Sequence, residues 1–255
     1  MDAVLRISYE RGMMRRCCLR MIADTIRQFD TELQGRARLV AVTKTKPVLM
    51  LQEAYDAGAR LFGENKVQEM VDKHPQLPPD VQWHLIGHLQ TNKVKYIAPF
   101  VALIHSVDSL KLLQEINRQA AKNNRVIDCL LQIHIADEET KFGLSPDEAS
   151  ALLNAPELDL LTHVRIVGLM GLATNTDDEG KVRGEFRELK RLYDQFATVD
   201  RPSIQFHELS MGMSGDYRIA VEEGSTLIRV GSAIFGARDP QPEASARPNG
   251  VTTTH

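Results

Sequence analysis

Two hydrophobic rhythms alternate along the middle of the chain. Short aliphatic or β-branched runs stand at RLVAV (38–42), RLFGE (60–64), QWHLIG (82–87), LIHSV (103–107), DCLLQIHI (128–135), RIVGLM (165–170), QFHELS (205–210) and TLIRVG (226–231). Their length and turn-rich flanks predict eight strands. Between them lie stretches whose apolar residues recur every three or four positions, such as VLMLQEAYDAGA, SLKLLQEINRQAAKNN and DEGKVRGEFRELKRLYDQFA. Asp108-Ser109 and Ser145-Pro146 supply helix starts, and Gly58 and Gly224 supply helix ends. Strand–helix alternation buries both faces of a parallel sheet under helices. Eight units within 255 residues predict an α/β fold, a single-domain (β/α)8 TIM-type barrel. An extra N-terminal helix over about residues 9–34 is expected to cover or flank the barrel bottom. Residues 1–8 are expected to form a disordered leader, 9–239 the barrel, and 240–255 a disordered tail with little to bury.

Composition narrows the function classes. A net charge of −3 gives no electrostatic reason to expect nucleic acid. Cys17, Cys18 and Cys129 are odd in number with two adjacent, a poor disulfide framework that points to a reducing, cytoplasmic setting. No C-x-x-C or H-E-x-x-H spacing occurs, so no zinc site is expected. Apolar runs such as VRIVGLMGLA reach about half the ~20 residues of a membrane span. The arginine-rich N-terminal stretch has no continuous apolar segment, which argues against a secretory signal.

A barrel gathers its chemistry at the C-terminal ends of its strands. There stand Lys44, then Glu64 and Asn65, then His84, then His105 and Ser106, and finally the SMGMSGD loop (210–216) and VGS (230–232). SMGMSGD offers Ser210, Gly212 and Ser214 just ahead of a predicted helix, and Gly231-Ser232 repeats the pattern after the eighth strand. Such turns present backbone N–H groups to an anion, and barrel phosphate sites recur after strands seven and eight. Arg229 shares a strand face with Leu227 and Gly231 and so points into the barrel. An unpaired charge there is costly. Its partner is either a carboxylate, such as Glu64 or Glu208, or an acceptor atom of a ligand, such as a ring nitrogen.

Lys44, in LVAVTKTKPV, faces the same mouth. A partly desolvated, cationic setting favours the neutral amine, which is a nucleophile towards aldehydes. A lysine, a phosphate cradle and a ring-nitrogen partner are what pyridoxal phosphate (PLP) asks of a protein. An aldolase-type barrel using a lysine Schiff base without that cofactor is the other reading these residues leave open.

The blocks AVTKTKP, FGENKVQE, WHLIGHLQTNK, KFGL, GLMGLAT, LSMGMSGD and EEGSTLIRVGSAIFGARD run in order over about residues 38–239. They resemble the pyridoxal phosphate homeostasis protein family, barrels similar to the N-terminal domain of alanine racemase. The resemblance implies that Lys44 holds pyridoxal 5'-phosphate as a Schiff base. It implies that Ser210, Ser214, Gly231 and Ser232 hold the phosphate and that Arg229 faces the pyridine nitrogen. Asn65 and His84 would line the pocket, with Met211 near the ring or phosphate. Lys66 departs from the pattern, since many members carry tyrosine after GEN, and it makes the neighbouring surface more basic. Lys46 is the rival amine, and Pro47 argues that the strand does not run on to put it on the side of Lys44.

An arginine beside the ring nitrogen disfavours its protonation and weakens the electron sink that carbanion chemistry needs. A racemase tolerates the arginine but requires a second base. In alanine racemases the resemblance places that base, a tyrosine, in a separate C-terminal domain, which is expected to be absent here. Among the tyrosines, Tyr217 alone stands beside the mouth in sequence. The expectation is a non-enzymatic, cytoplasmic, monomeric protein that stores, buffers or delivers PLP, with apo PLP-dependent enzymes as possible recipients and no nucleic acid, membrane or metal. The alternative is a weak amino-acid racemase using Lys44 with a water or Tyr217.

Overall fold

Eight parallel strands close into a barrel in chain order, each paired with the next and the last returning to the first. The computed structural model describes residues 21–136 and 142–236, so the expected leader, tail and first turns of the N-terminal helix lie outside the described residues. The strands are β1 (Arg38–Val42), β2 (Leu61–Glu64), β3 (Gln82–Leu85), β4 (Leu103–Val107), β5 (Ile127–Ile133), β6 (Val164–Gly171), β7 (Ile204–Ser210) and β8 (Leu227–Val230). A helix, α1, runs over residues 21–33. It is followed by α2 (Val48–Asp56), α3 (Val67–Lys73), α4 (Val94–Ile97), α5 (Leu110–Lys122), α6 (Pro146–Asn154), α7 (Glu179–Phe196), α8 (Tyr217–Glu222) and α9 (Ser232–Phe235). The four-residue α9 is an addition to the sequence reading, which places no helix after the eighth strand.

Period-two alternation sorts strand residues into two apolar layers. Val40, Leu61, Leu103, Leu130, Val167 and Leu227 fill the barrel interior. Their neighbours Ala41, Phe62, Ile104, Leu131, Ile166 and Ile228 turn outwards to the helices. On α7 the buried face is Val182, Phe186, Leu189, Leu192 and Phe196, three or four residues apart. The predicted starts close as expected. Ser109 accepts from the Leu112 N–H, and Ser145 forms a reciprocal capping box with Glu148.

The pairing of β6 with β7 shifts register between Ile166 and Gly168. A Cβ at Gly168 would lie 1.7 Å from the Glu208 carbonyl oxygen, so only glycine permits this approach. Among the described residues no helix is long and apolar enough to cross a membrane. Nor does any group of three or more His, Cys, Asp or Glu side chains stand where it could hold a metal ion.

Candidate functional site

At the C-terminal mouth lies a cavity of about 420 Å³, within the range of small-molecule sites. Lys44, Asn65, Ser214, Arg229, Gly231 and Ser232 all line it, six of the nine residues singled out in the sequence. A groove of about 510 Å³ at the opposite end, lined by Leu158, Leu161 and Val164 among others, is larger. Chemistry rather than size distinguishes the mouth.

Lys44 is carried by a tight turn rather than by the strand itself. The Lys46 N–H donates to the Thr43 carbonyl at 3.1 Å, and Thr45 takes a φ of +63°. This reversal brings Lys46 to the same cavity as Lys44. The argument from Pro47 that the two lysines part company is thereby corrected. The strand already ends at Val42 and Pro47 opens α2, so it is the turn over residues 43–46 that sets the direction of both lysines.

Asn65 follows β2 directly, and its buried side-chain oxygen has no hydrogen-bond partner. The backbone behind it is fixed by contact with Gly87, where a Cβ would meet the Asn65 carbonyl oxygen at 2.3 Å. Across the cavity, the turns after β7 and β8 meet through their serines. Ser232 Oγ donates to Ser214 Oγ at 3.1 Å. Two hydroxyls and the adjacent Gly231 thus converge on one spot.

Arg229 is 4% exposed. Its guanidinium donates from Nη1 to Ser210 Oγ at 2.5 Å and from Nη2 to the Gly171 carbonyl at 2.9 Å. The carboxylates proposed as partners are engaged elsewhere. Glu64 accepts from Lys73 and Thr43, and Glu208 pairs with Arg38. Arg229 therefore has no carboxylate within ion-pair distance among the described residues. Burial pulls its pKa down to about 10, with the Asp216 charge opposing.

Three expected lining residues stand elsewhere. His84 and Ser210 belong to a buried row behind Arg229. His84 Nδ1 lies 3.0 Å from His105 Nε2, and His105 Nδ1 lies 3.0 Å from Ser210 Oγ. Burial, aided by the Arg38 charge, draws His84 down to about 3. Burial, with His84 and Arg229 nearby, holds His105 well below its usual value. Both rings are neutral at physiological pH. Met211 is fully buried in the layer between sheet and helices, and Met213 lines the cavity in its place. The two methionines lie beyond β7 in a turn where strand parity no longer applies, so the sequence reading, which named Met211, had no means of choosing between them. Tyr217 also turns away. Its hydroxyl donates to Glu32 of α1 at 2.8 Å, and burial followed by that bond raises its pKa.

Residues 18–239 match the alanine racemase N-terminal domain. The pyridoxal phosphate homeostasis protein of Aquifex aeolicus is 41% identical over 204 residues, spanning 79% of this chain and 87% of that one. The chain belongs to the pyridoxal phosphate homeostasis protein family. The family member from Homo sapiens is 37% identical over 250 residues, covering 90% of each chain. PipY of Synechococcus elongatus, solved with PLP bound, superimposes with a TM-score of 0.76 at 36% identity, over 84% of this chain and 100% of that chain. The mouth cavity is thus lined by an amine from the first β/α unit, by two serines and a glycine from the turns after the last two strands, and by a guanidinium. Such a set can hold a phosphorylated aldehyde that also carries a hydrogen-bond acceptor.

Proposed function

We propose that this chain binds pyridoxal 5'-phosphate in the mouth cavity and serves homeostasis of that cofactor, holding and releasing it rather than turning over a substrate. The observation that carries the reading is Arg229, a buried guanidinium lining the cavity whose hydrogen bonds go to a hydroxyl and a carbonyl, with no carboxylate in ion-pair contact among the described residues. Such a group suits an uncharged acceptor, as a ring nitrogen is. Ser214, Gly231 and Ser232 suit a phosphate, and the partnerless oxygen of Asn65 suits a ligand donor. Lys44 is the amine to which the aldehyde carbon is linked. The names of the curated relatives and the PLP-bound form of PipY support the same ligand.

When bound, PLP supplies an electrophilic carbon and an electron-withdrawing ring. Arg229 limits the second property, because a cation beside the ring nitrogen opposes its protonation. No observation favours the racemase alternative, since Tyr217 is bonded to Glu32 and does not line the cavity. A monomeric, cytoplasmic protein that buffers PLP or passes it to apoenzymes is the form of the proposal to be tested. Borohydride treatment of the purified, PLP-loaded protein is expected to fix the label on Lys44, and Lys44→Ala to abolish it. A label found on Lys46 would overturn the choice of amine. Transfer to an apoenzyme faster than free release marks delivery, and Lys44-dependent loss of the α-deuterium from labelled alanine marks a racemase.

A further inference from the structure

The turn that carries Lys44 is held from below by a buried ionic cluster. Lys73, at the end of α3, is 8% exposed, and all three of its ammonium donors are engaged. It donates to Glu64 Oε1 at 2.7 Å, to Glu69 Oε2 at 3.1 Å and to the Thr43 carbonyl at 2.9 Å. Glu64 Oε1 also accepts from the Thr43 hydroxyl at 2.6 Å. Glu69 Oε2 accepts the Thr45 N–H at 2.7 Å. The residues on either side of Lys44 are therefore both tied to one cluster, while Lys44 lines the cavity between them.

Two features set this cluster apart from ordinary packing. Thr45 is β-branched yet takes a φ of +63°, a conformation such residues rarely adopt without an outside hold. Glu64 is fully buried, and its Oε2 has no partner. Burial raises its pKa despite Lys73 and Thr43. A buried ion pair adds little stability over apolar side chains of the same volume. Stability alone therefore does not account for a cluster in this place.

We infer that Lys73, together with Glu64 and Glu69, is a positioning device for the Lys44 amine: it fixes both flanking residues and so sets the line along which the amine enters the cavity. The inference rests on the PLP reading. Condensation of the Lys44 nitrogen with an aldehyde carbon, with water leaving, needs a defined approach, and misplacement by about 1 Å can slow such a step by up to about a hundredfold. Binding of phosphate and ring does not depend on that approach.

The test separates the two. Lys73→Met removes the centre of the cluster. Glu69→Ala removes the hold on Thr45 and one of the three Lys73 contacts but leaves Lys73 with Glu64 and Thr43, and it does so at a carboxylate that is partly exposed. Each variant and the wild type are given pyridoxal 5'-phosphate, and the rate of borohydride-fixable label on Lys44 is followed. Each is also titrated calorimetrically with pyridoxine 5'-phosphate, which has ring and phosphate but no aldehyde. The expected result is a fall of about tenfold in the labelling rate of each variant that folds, with pyridoxine 5'-phosphate affinity kept within about twofold. Equal losses for both ligands would reduce the cluster to general structural support, and an unchanged labelling rate would remove the inference alone. Wild type that takes up neither ligand would remove the PLP reading and this inference with it.

Discussion

The imidazoles of His84 and His105 are buried and neutral, and that gives the molecule an acid-sensitive point away from its surface. An unfolded histidine titrates near ~6.5, whereas in the fold both titrate lower. Below about pH 6.5 the unfolded chain thus binds more protons. Stability falls with pH by about 1.4 kcal/mol per unit for each ring, until the folded value is reached, about 3 for His84. Glu64, raised by burial, works in the opposite sense. It is common to wild type and the variant, so the comparison cancels it. Urea midpoints measured from pH 7 to 5 are expected to drop more steeply for wild type than for the His84→Gln/His105→Gln double variant, and equal slopes would refute the assignment. At this scale the sequence was legible where strand parity points a side chain inward, as for Arg229, and where a residue closely follows a strand end, as for Lys44 and Ser232. It was not legible where a partner had to be named. Nothing in the spacing says that Arg229 is served by Ser210 and the Gly171 carbonyl rather than by Glu64 or Glu208.

Strands and helices were readable almost to their ends, because alternation and capping are local properties of the chain. What lay beyond local reach was how strands slide against one another. The register shift between β6 and β7 depends on Gly168, whose missing Cβ leaves room for the Glu208 carbonyl. In VRIVGLMG that glycine reads only as a gap in an apolar run. Gly168→Ala is expected to destabilise the barrel by about 3 kcal/mol, since the backbone sits at φ +151° and must also move apart. Thermal or urea unfolding measures this, and a loss below about 1 kcal/mol would show that the two strands separate easily. The four residues of α9 were likewise unreadable, being too few to display a period. The Lys73–Glu64 pair, nine residues apart across a strand-to-helix link, left no pattern at all.

At the level of the whole molecule, the N-terminal helix is tied to the first turn of α8. Glu32 on α1 accepts from Tyr217 Oη at 2.8 Å and from Arg218 Nε at 2.7 Å, and Phe29 packs edge-on against the Tyr217 ring at 5.2 Å. Tyr217→Phe is expected to cost about 1 kcal/mol of stability and to leave borohydride labelling of Lys44 at the wild-type level. A loss of labelling there would reopen a chemical role for this phenol.

β1 pairs with β8 through Arg38–Leu227, Leu39–Ile228, Val40–Arg229 and Ala41–Val230. Along this seam the lysine of the opening β/α unit meets the hydroxyls of the closing ones. A ribosome therefore makes the amine early and the serines last, and the cavity they line together is complete only when the final strand has emerged. On the proposed reading, occupation of that cavity by PLP would mark a finished ring.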